Sequence, residues 1–156
     1  MIVFNPKIAK EAMAFYEVGK RCYADSCKVA INKENYSILL PAVINLSFGI
    51  EIFLKACINP PIREHNLKKL LKAVPEQERN SIIQMTSLQM QRVNKNAFSE
   101  DQFWEELQDA KDAFEKWRYF YEAESNLKVN LMFLFSLATT LKVLSETVLA
   151  TNKSNK

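Results

Sequence analysis

The sequence predicts an all-α protein, an up-and-down bundle of four long helices with one or two short additional helices. Only two of the 156 residues are glycine, whereas sheets joined by tight hairpins need glycine at positive φ. Along four long segments the hydrophobic residues recur with spacings of three and four, which is the period of one helical face. Short polar breaks separate these segments, as in helical bundles.

The length and composition of the chain fit one domain. A chain of 156 residues can bury a single substantial core but not two. Hydrophobic residues make up 48% and charged residues 25%, which is ordinary for a globular protein. We therefore assign residues 1–150 to a single helical domain and residues 151–156 to a disordered tail.

The first two helices are predicted in the N-terminal third of the chain. The first begins at Asn5-Pro6, a capping residue followed by proline at the first helical position, and ends near Asn32. The second covers roughly Tyr36 to Cys57, and Pro41 either starts or kinks it. Because its apolar residues extend beyond one face, we expect this helix to be central.

Two smaller helices are predicted in the middle of the chain. The stretch HNLKKLLKAV follows, with Asn66 as its cap. After Pro75 comes a more polar segment, EQERNSIIQMTSLQMQRV. Its apolar residues form no regular stripe, so we expect this helix to be peripheral or mobile.

The C-terminal part contains the last two long helices of the predicted bundle. Ser99 caps a helix whose apolar stripe runs from Phe103 to Tyr121. The final helix runs from about Leu127 to Ala150 and is apolar on several faces. Such a helix needs burial from two sides, which predicts a homodimer.

Charge is distributed unevenly along the chain. The net charge of +3 is too small to indicate a nucleic-acid-binding protein by itself. However, residues 61–96 carry seven Lys or Arg against three Glu, and residues 97–127 carry nine Asp or Glu against three Lys or Arg. Two interpretations remain open: solvated helix faces that attract each other, or a basic patch that meets phosphate.

The cysteine and histidine content predicts neither a metal site nor a cofactor. Cys22, Cys27 and Cys57 form no even disulfide framework and no CxxC pair. A single histidine cannot complete a typical zinc site. We interpret the thiols as small buried groups in a reducing cytoplasm.

Two apolar segments resemble membrane spans in length only. One carries Glu51 and Lys55, and the other carries Lys128 and Lys142, so neither provides about 18 uncharged apolar residues. The N-terminus lacks the pattern of a signal peptide. We therefore predict a cytoplasmic protein with two buried core helices and no membrane contact.

Polar residues on otherwise apolar helices are the candidates for a site, because the chain has no Gly-rich phosphate loop, GxSxG or HExxH motif. Glu51 and Lys55 lie one turn apart, and a buried carboxylate there needs a partner. One interpretation is a structural contact between Glu51 and Arg118. The other is that Arg118, Tyr119 and Glu122 line a groove, with the planar guanidinium offered to phosphate oxygens.

His65 is the second candidate for chemistry. It is the only histidine and the side chain best suited to proton transfer near neutral pH. It precedes Lys68 and Lys69 at the start of a short basic helix, where a helix N-terminus favours anions. We expect these two lysines, together with Glu51 and Lys55, to contribute to ligand binding. The alternative is that His65 only caps the helix or packs a loop.

Three stretches, LSFGIEIFLKACI, EHNLKKLL and AFEKWRYFYE, together resemble the HEPN family. They span roughly Leu46 to Glu122, most of the domain. HEPN proteins are small helical bundles, often dimeric, and often encoded in toxin–antitoxin or anti-phage systems. Active members are metal-independent ribonucleases whose signature is an Arg followed four to six residues later by a His. Here Arg118 matches the arginine, but those positions hold Glu122, Ala123 and Glu124.

The resemblance implies a HEPN-like domain without the ribonuclease signature. Our leading hypothesis is a non-catalytic module that binds RNA, a nucleotide or a protein partner, as a homodimer. One alternative is a metal-independent endoribonuclease that uses Arg118 together with His65. The other is a purely structural or neutralising partner protein that uses the acidic stretch from Glu100 to Glu124.

Overall fold

A computed structural model describes residues 4–29, 36–119 and 128–154. Every regular element in these ranges is an α-helix, and they contain no strand. The all-α prediction is therefore confirmed. The helices are α1 (Pro6–Val29), α2 (Tyr36–Ala56), α3 (Leu67–Ala73), α4 (Glu76–Asn94), α5 (Glu100–Ala110), α6 (Ala113–Arg118) and α7 (Leu131–Ser154).

Four of these helices are long, but they are not the four that the sequence predicts. The long helices are α1, α2, α4 and α7, with 19 to 24 residues each. The described part of the segment expected to form one long helix from Phe103 to Tyr121 instead forms α5 and α6, which are separated at Lys111 and Asp112, and residues 120–121 lie outside the described residues. At this break the Lys111 carbonyl accepts a hydrogen bond from the N–H of Leu67, at 2.8 Å. The start of α3 thus binds the chain between α5 and α6.

Helix α4 contributes to the core, so the expectation of a peripheral helix is wrong. It packs against α7 and α5, and it buries Ile82, Ile83 and Met90. Thr86 is also buried and donates a hydrogen bond from its hydroxyl to that of Thr140 on α7, at 3.2 Å. The apolar pattern of the sequence misses this contact because a threonine pair, not only an apolar stripe, joins the two helices.

Helices α1 and α2 pack closely along their length. Helix α1 begins at Pro6, as predicted, and the Asn5 side chain accepts hydrogen bonds from the N–H groups of Lys7 and Ile8. Both glycines of the chain are buried at this interface, where Gly19 lies against Leu46. Pro41 lies inside α2.

Helix α7 packs against α1, α2 and α4 of the same chain. Leu134, Leu137 and Leu141 are fully buried there. These contacts cover its apolar surface from several directions without a second subunit, so the homodimer stays a prediction. The helix continues to Ser154, beyond the expected end at Ala150, and residues 155–156 lie outside the described residues.

Two helical segments, Ile38–Ala56 and Leu131–Thr151, are long and apolar enough to cross a membrane by length and composition. In their most apolar stretches, 50% and 44% of the residues are buried inside the structure. Core helices of soluble proteins have the same properties, so this is weak evidence for a membrane span. The cytoplasmic placement stays a prediction.

Candidate functional site

The centre of the candidate site is Glu51 on α2, whose side chain is only 1% exposed. Its Oε1 accepts a hydrogen bond from Lys55 Nζ at 2.7 Å and lies 2.9 Å from His65 Nδ1. We call Glu51, Lys55 and His65 the Glu51 cluster. It joins α2 to the segment before α3, which are 14 residues apart in the chain at this contact.

Lys55 and His65 make the burial of this carboxylate tolerable. An unpaired buried carboxylate is very costly, whereas a paired and hydrogen-bonded one is not. Lys55 is 19% exposed, so its ammonium group lies at the edge of the protein surface and compensates the negative charge of the Glu51 carboxylate from there. The second carboxylate oxygen, Oε2, is buried without a protein hydrogen-bond partner in the described part of the chain.

Glu64 orders the backbone next to His65. Its Oε1 accepts hydrogen bonds from the N–H groups of His65 at 2.9 Å and Asn66 at 3.0 Å. The bond from Asn66, and then that from His65, lowers the pKa of the Glu64 carboxyl below its usual range. These N–H groups therefore already bind the protein's own carboxylate, which removes the sequence argument for an external anion at the start of α3.

Asn66 connects this segment to the break between α5 and α6. Its Oδ1 accepts a hydrogen bond from the N–H of Lys69 at 3.1 Å, which confirms it as the cap of α3. Its Nδ2 donates to Asp112 Oδ1 at 3.1 Å. The position of His65 is thus set by contacts on both sides of it in the sequence.

The first two lysines of α3, Lys68 and Lys69, have partners within the chain. Lys68 Nζ donates a hydrogen bond to Gln108 Oε1 at 2.7 Å. Lys69 Nζ pairs with Glu64 Oε2 at 3.4 Å and is 70% exposed. Both were predicted to bind a ligand, and of the two it is Lys69 that combines an exposed ammonium group with proximity to His65.

Arg118 lies at the end of α6 and is exposed. Its guanidinium carbon lies 5.1 Å from the ring centre of Phe114 and 4.7 Å from that of Tyr119. Phe114 stacks on Phe48 of α2 at 4.3 Å, and Phe48 contacts Phe15 of α1 edge-on at 4.5 Å. A column of aromatic rings that starts on α1 therefore supports the guanidinium at the surface.

The structure does not contain the predicted contact between Glu51 and Arg118. Among the described residues, the partners of Glu51 are Lys55 and His65. The contact with Phe114 holds the Arg118 guanidinium over α6, while His65, in the segment before α3, contacts the Glu51 carboxylate. Glu122, the other predicted partner of Arg118, lies outside the described residues.

His65 and Arg118 lie next to residues at the two ends of α6. His65 is adjacent to Asn66, which binds Asp112 at the start of α6. With a rise of about 1.5 Å per residue, the backbone of Arg118 lies about 9 Å further along the helix than that of Asp112. The Arg118 guanidinium lies over Phe114, one turn back toward Asp112.

The sequence singled out most of these side chains, but it missed Glu64 and Asp112. A carboxylate directly before a His and a capping Asn was a usable signal for Glu64. Asp112 has no such signal, because its contact with Asn66 joins residues 46 positions apart. The described residues contain no group of three His, Cys, Asp or Glu that could hold a metal ion.

Comparisons with known protein families, curated proteins and solved structures gave no match. The fold and the site define an all-α protein with a buried carboxylate–lysine–histidine cluster and a surface arginine supported by aromatic rings.

Proposed function

We propose that this chain is a HEPN-like module, an up-and-down helical bundle, that binds RNA or a nucleotide through Arg118 and Tyr119. The observation that carries the proposal is the exposed guanidinium held over the rings of Phe114 and Tyr119 instead of being neutralised by Glu51. On this proposal the module acts in the cytoplasm and binds its ligand without cleaving it.

The aromatic support favours binding of a phosphate group. The planar guanidinium donates paired hydrogen bonds to phosphate oxygens. A contact between a guanidinium and an aromatic ring at an exposed site contributes about 0.5–1 kcal/mol. Because these contacts already restrain the Arg118 side chain, it loses less conformational entropy when it binds phosphate. Tyr119 is 45% exposed, and an exposed ring next to an arginine is a surface on which a base can stack.

Fluorescence anisotropy with a labelled single-stranded RNA tests this proposal, with unlabelled nucleotides as competitors. We expect Arg118→Ala to weaken binding at least tenfold and to lower the salt dependence by about one phosphate contact. Arg92→Ala, which removes an exposed arginine at the end of α4, is the matched control. Equal affinity of wild type and Arg118→Ala would contradict the proposal.

A metal-independent endoribonuclease is the second candidate, because of the contact between Glu51 and His65. A carboxylate that holds one imidazole nitrogen leaves the other to accept a proton. Arg118 would then contact a neighbouring phosphate, or come from a second subunit. Incubation with total RNA in EDTA tests this candidate. Cleavage that is abolished by His65→Ala and also by Arg118→Ala would show that the chain is an endoribonuclease and not a non-catalytic binding module.

The remaining parts of the proposal rest on the HEPN resemblance. They are a homodimer, a cognate protein partner and a toxin–antitoxin or anti-phage setting. Light scattering tests the dimer, since one chain has a mass of 18.1 kDa. The neutralising-partner alternative gains no support, because Asp109 and Asp112 already pair with Lys128 and Lys116 at 3.5 Å.

A further inference from the structure

We propose that a cleft between α1, α4 and α7 binds a small uncharged aromatic compound with one hydrogen-bonding group, such as a phenol or an indole. Helices α1 and α4 both pack on α7, and the cleft lies over α7 between them. Its lining includes Tyr23 of α1, Val93 of α4, and Met132, Phe135 and Ser136 of α7. We call it the α7 cleft. It shares no lining residue with the Glu51 cluster, and binding there is independent of the proposed binding of RNA or a nucleotide.

Aromatic rings form one wall of the α7 cleft. The rings of Tyr23 and Phe135 stack with their centres 4.4 Å apart and an angle of 13° between their planes. Phe135 is also nearly parallel to Tyr16, at 6.3 Å and 10°. Aromatic rings attract each other in offset stacked and edge-to-face arrangements, beyond the effect of buried area alone. This wall therefore favours an aromatic ligand over an aliphatic one of the same size.

The remaining surface of the cleft is predominantly apolar. Met132 is half-buried, and its thioether can contact the edge of a ligand ring. Val93 lies at the rim and is 54% exposed. Of the described residues that line the cleft, only Arg92 carries a charge, and it is exposed to solvent. Because a solvated arginine needs no counter-ion, the apolar interior sets the preference for an uncharged ring.

The size of the cleft limits the ligand to one or two fused rings. Its volume is about 220 Å³. An apolar cavity of about 150 Å³ holds benzene, whereas the pockets for drug-sized ligands have about 300–1,000 Å³. A phenol or an indole therefore fits, but a nucleotide would leave its sugar and phosphate outside.

Ser136 supplies the hydrogen-bonding group of the cleft. This residue is only 4% exposed, and its hydroxyl has no hydrogen-bond partner within the described ranges. Unlike Ser87 Oγ, Ser136 Oγ is not sealed from solvent, so a ligand in the cleft can reach it. The neighbouring hydroxyl of Thr139 is already bonded to that of Tyr16, at 3.2 Å.

A buried hydroxyl without a partner costs free energy, which a ligand can recover by hydrogen bonding to it. A serine hydroxyl both donates and accepts. It can therefore bind either the O–H of a phenol or the N–H of an indole. One such hydroxyl in an apolar cleft matches a ring with a single polar group.

Isothermal titration calorimetry with phenol, indole and cyclohexanol tests the class of ligand. We expect phenol and indole to bind at a single site with a Kd below about 1 mM. Cyclohexanol has the same hydroxyl but no aromatic ring, so it should bind about fivefold more weakly than phenol. Tyr23→Leu, which keeps an apolar wall but removes its outer ring, should reduce this difference.

Ser136→Ala tests the hydrogen bond. We expect it to weaken the binding of phenol about fivefold, the effect of one hydrogen bond. It should leave the binding of toluene unchanged, because toluene has no polar group. Thr147→Ala removes an exposed hydroxyl elsewhere on α7 and is the matched control. Circular dichroism verifies that each variant is folded before titration.

Four results would overturn the proposal. No saturable binding of phenol or indole by the wild type would show that the cleft binds no such ligand. Equal affinities for phenol and cyclohexanol would remove the preference for an aromatic ring. Unchanged binding of phenol by Ser136→Ala would place the ligand away from this hydroxyl. Benzoate that binds more tightly than phenol, and loses this advantage in Arg92→Ala, would show that the ligand is an anion.

Discussion

At the scale of single residues, Glu51 is notable as a charged side chain in a buried position. It is a carboxylate with 1% exposure on a central helix, and it depends on Lys55 and His65 for compensation. The surface pair of Lys142 and Glu146 has the same i, i+4 spacing and a distance of 3.2 Å. Burial and the additional contact with His65 distinguish the pair at Glu51 from this surface pair.

This comparison leads to a prediction for Glu51→Gln. The substitution keeps the volume but removes the negative charge that strengthens two hydrogen bonds, so we expect the free energy of unfolding to fall by about 1–2 kcal/mol. Glu146→Gln, in the exposed pair, should change it by less than about 0.5 kcal/mol. Urea denaturation measures both. Equal effects would show that burial adds nothing to the contribution of Glu51.

Cys57 gives a second prediction at the residue scale. Burial, with a smaller contribution from the negative charge of Glu78, raises the pKa of the Cys57 thiol to about 12. Only the thiolate reacts readily with iodoacetamide. Below pH 9 the thiol stays protonated in the folded state, and ionisation increases only as the pH approaches the raised pKa. We therefore expect Cys57 to stay unlabelled in the native protein at pH 7 and at pH 9.

Mass spectrometry of the labelled peptides reads out this result. Cys27 is exposed, so the interpretation of all three thiols as buried groups is wrong for this residue. It serves as the internal control, because it should be labelled in the native protein at pH 9. In urea all three cysteines should react. Labelling of native Cys57 at the rate of Cys27 would contradict its burial.

At the scale of elements, the contact between α1 and α2 depends on a missing side chain. A Cβ added to Gly19 would lie 2.8 Å from Cγ and Cδ2 of Leu46 and 3.0 Å from its backbone nitrogen. At Gly49 the nearest atoms, on Tyr16 and Ala12, would be 3.4 and 3.5 Å away, which is ordinary contact. The two glycines are therefore not equivalent.

We predict opposite effects for the two alanine substitutions. Alanine favours a helix over glycine by up to about 1 kcal/mol, so Gly49→Ala should raise the melting temperature. Gly19→Ala should lower it, because overpacking costs about 1–3 kcal/mol and exceeds that gain. Thermal unfolding followed by circular dichroism measures both. Stabilisation by Gly19→Ala would mean that the two helices lie further apart.

Helix α4 gives the second prediction at this scale. Met90 is fully buried, whereas Leu88 on the same helix is 46% exposed. We expect Met90→Ala to lower the free energy of unfolding by about 2–4 kcal/mol, through lost burial and the cavity it leaves. Leu88→Ala is the matched control and should have little effect. Similar small effects for both substitutions would show that α4 is a peripheral helix.

At the scale of the whole molecule, one core joins the helices. Within the described residues, buried side chains from each of the seven helices belong to a single apolar cluster, from Phe4 to Leu141. Helix α7 packs against α1, α2 and α4, and α6 packs against α2. No described helix has a separate core on which it would remain folded alone.

Unfolding should therefore be a single cooperative transition, as is usual for a domain of this size. The tryptophans Trp104 and Trp117 lie on α5 and α6, so fluorescence reports these helices, while far-ultraviolet circular dichroism reports all of them. We expect the two urea transitions to coincide. An earlier fluorescence transition would show that α5 and α6 unfold before the bundle.

The sequence by itself determined the all-α class, the start of α1 and the cap of α3. The two helix starts depend on neighbours within a few residues, the Asn5-Pro6 pair and Asn66 before LKKLL, and the all-α class follows from the glycine content and the apolar spacing of the chain. It also identified Glu51, Lys55, His65 and Arg118 as side chains of interest, since polar residues on apolar segments need partners. Such local chemistry is visible without coordinates.

Only the tertiary structure decided which of these side chains meet. The contact of His65 with Glu51 joins residues 14 positions apart, and that of Thr86 with Thr140 joins residues 54 positions apart. No helical period relates them, so the sequence paired Glu51 with Arg118 and left α4 outside the core. Partners across a fold depend on how helices pack together, because packing brings distant residues within hydrogen-bonding distance.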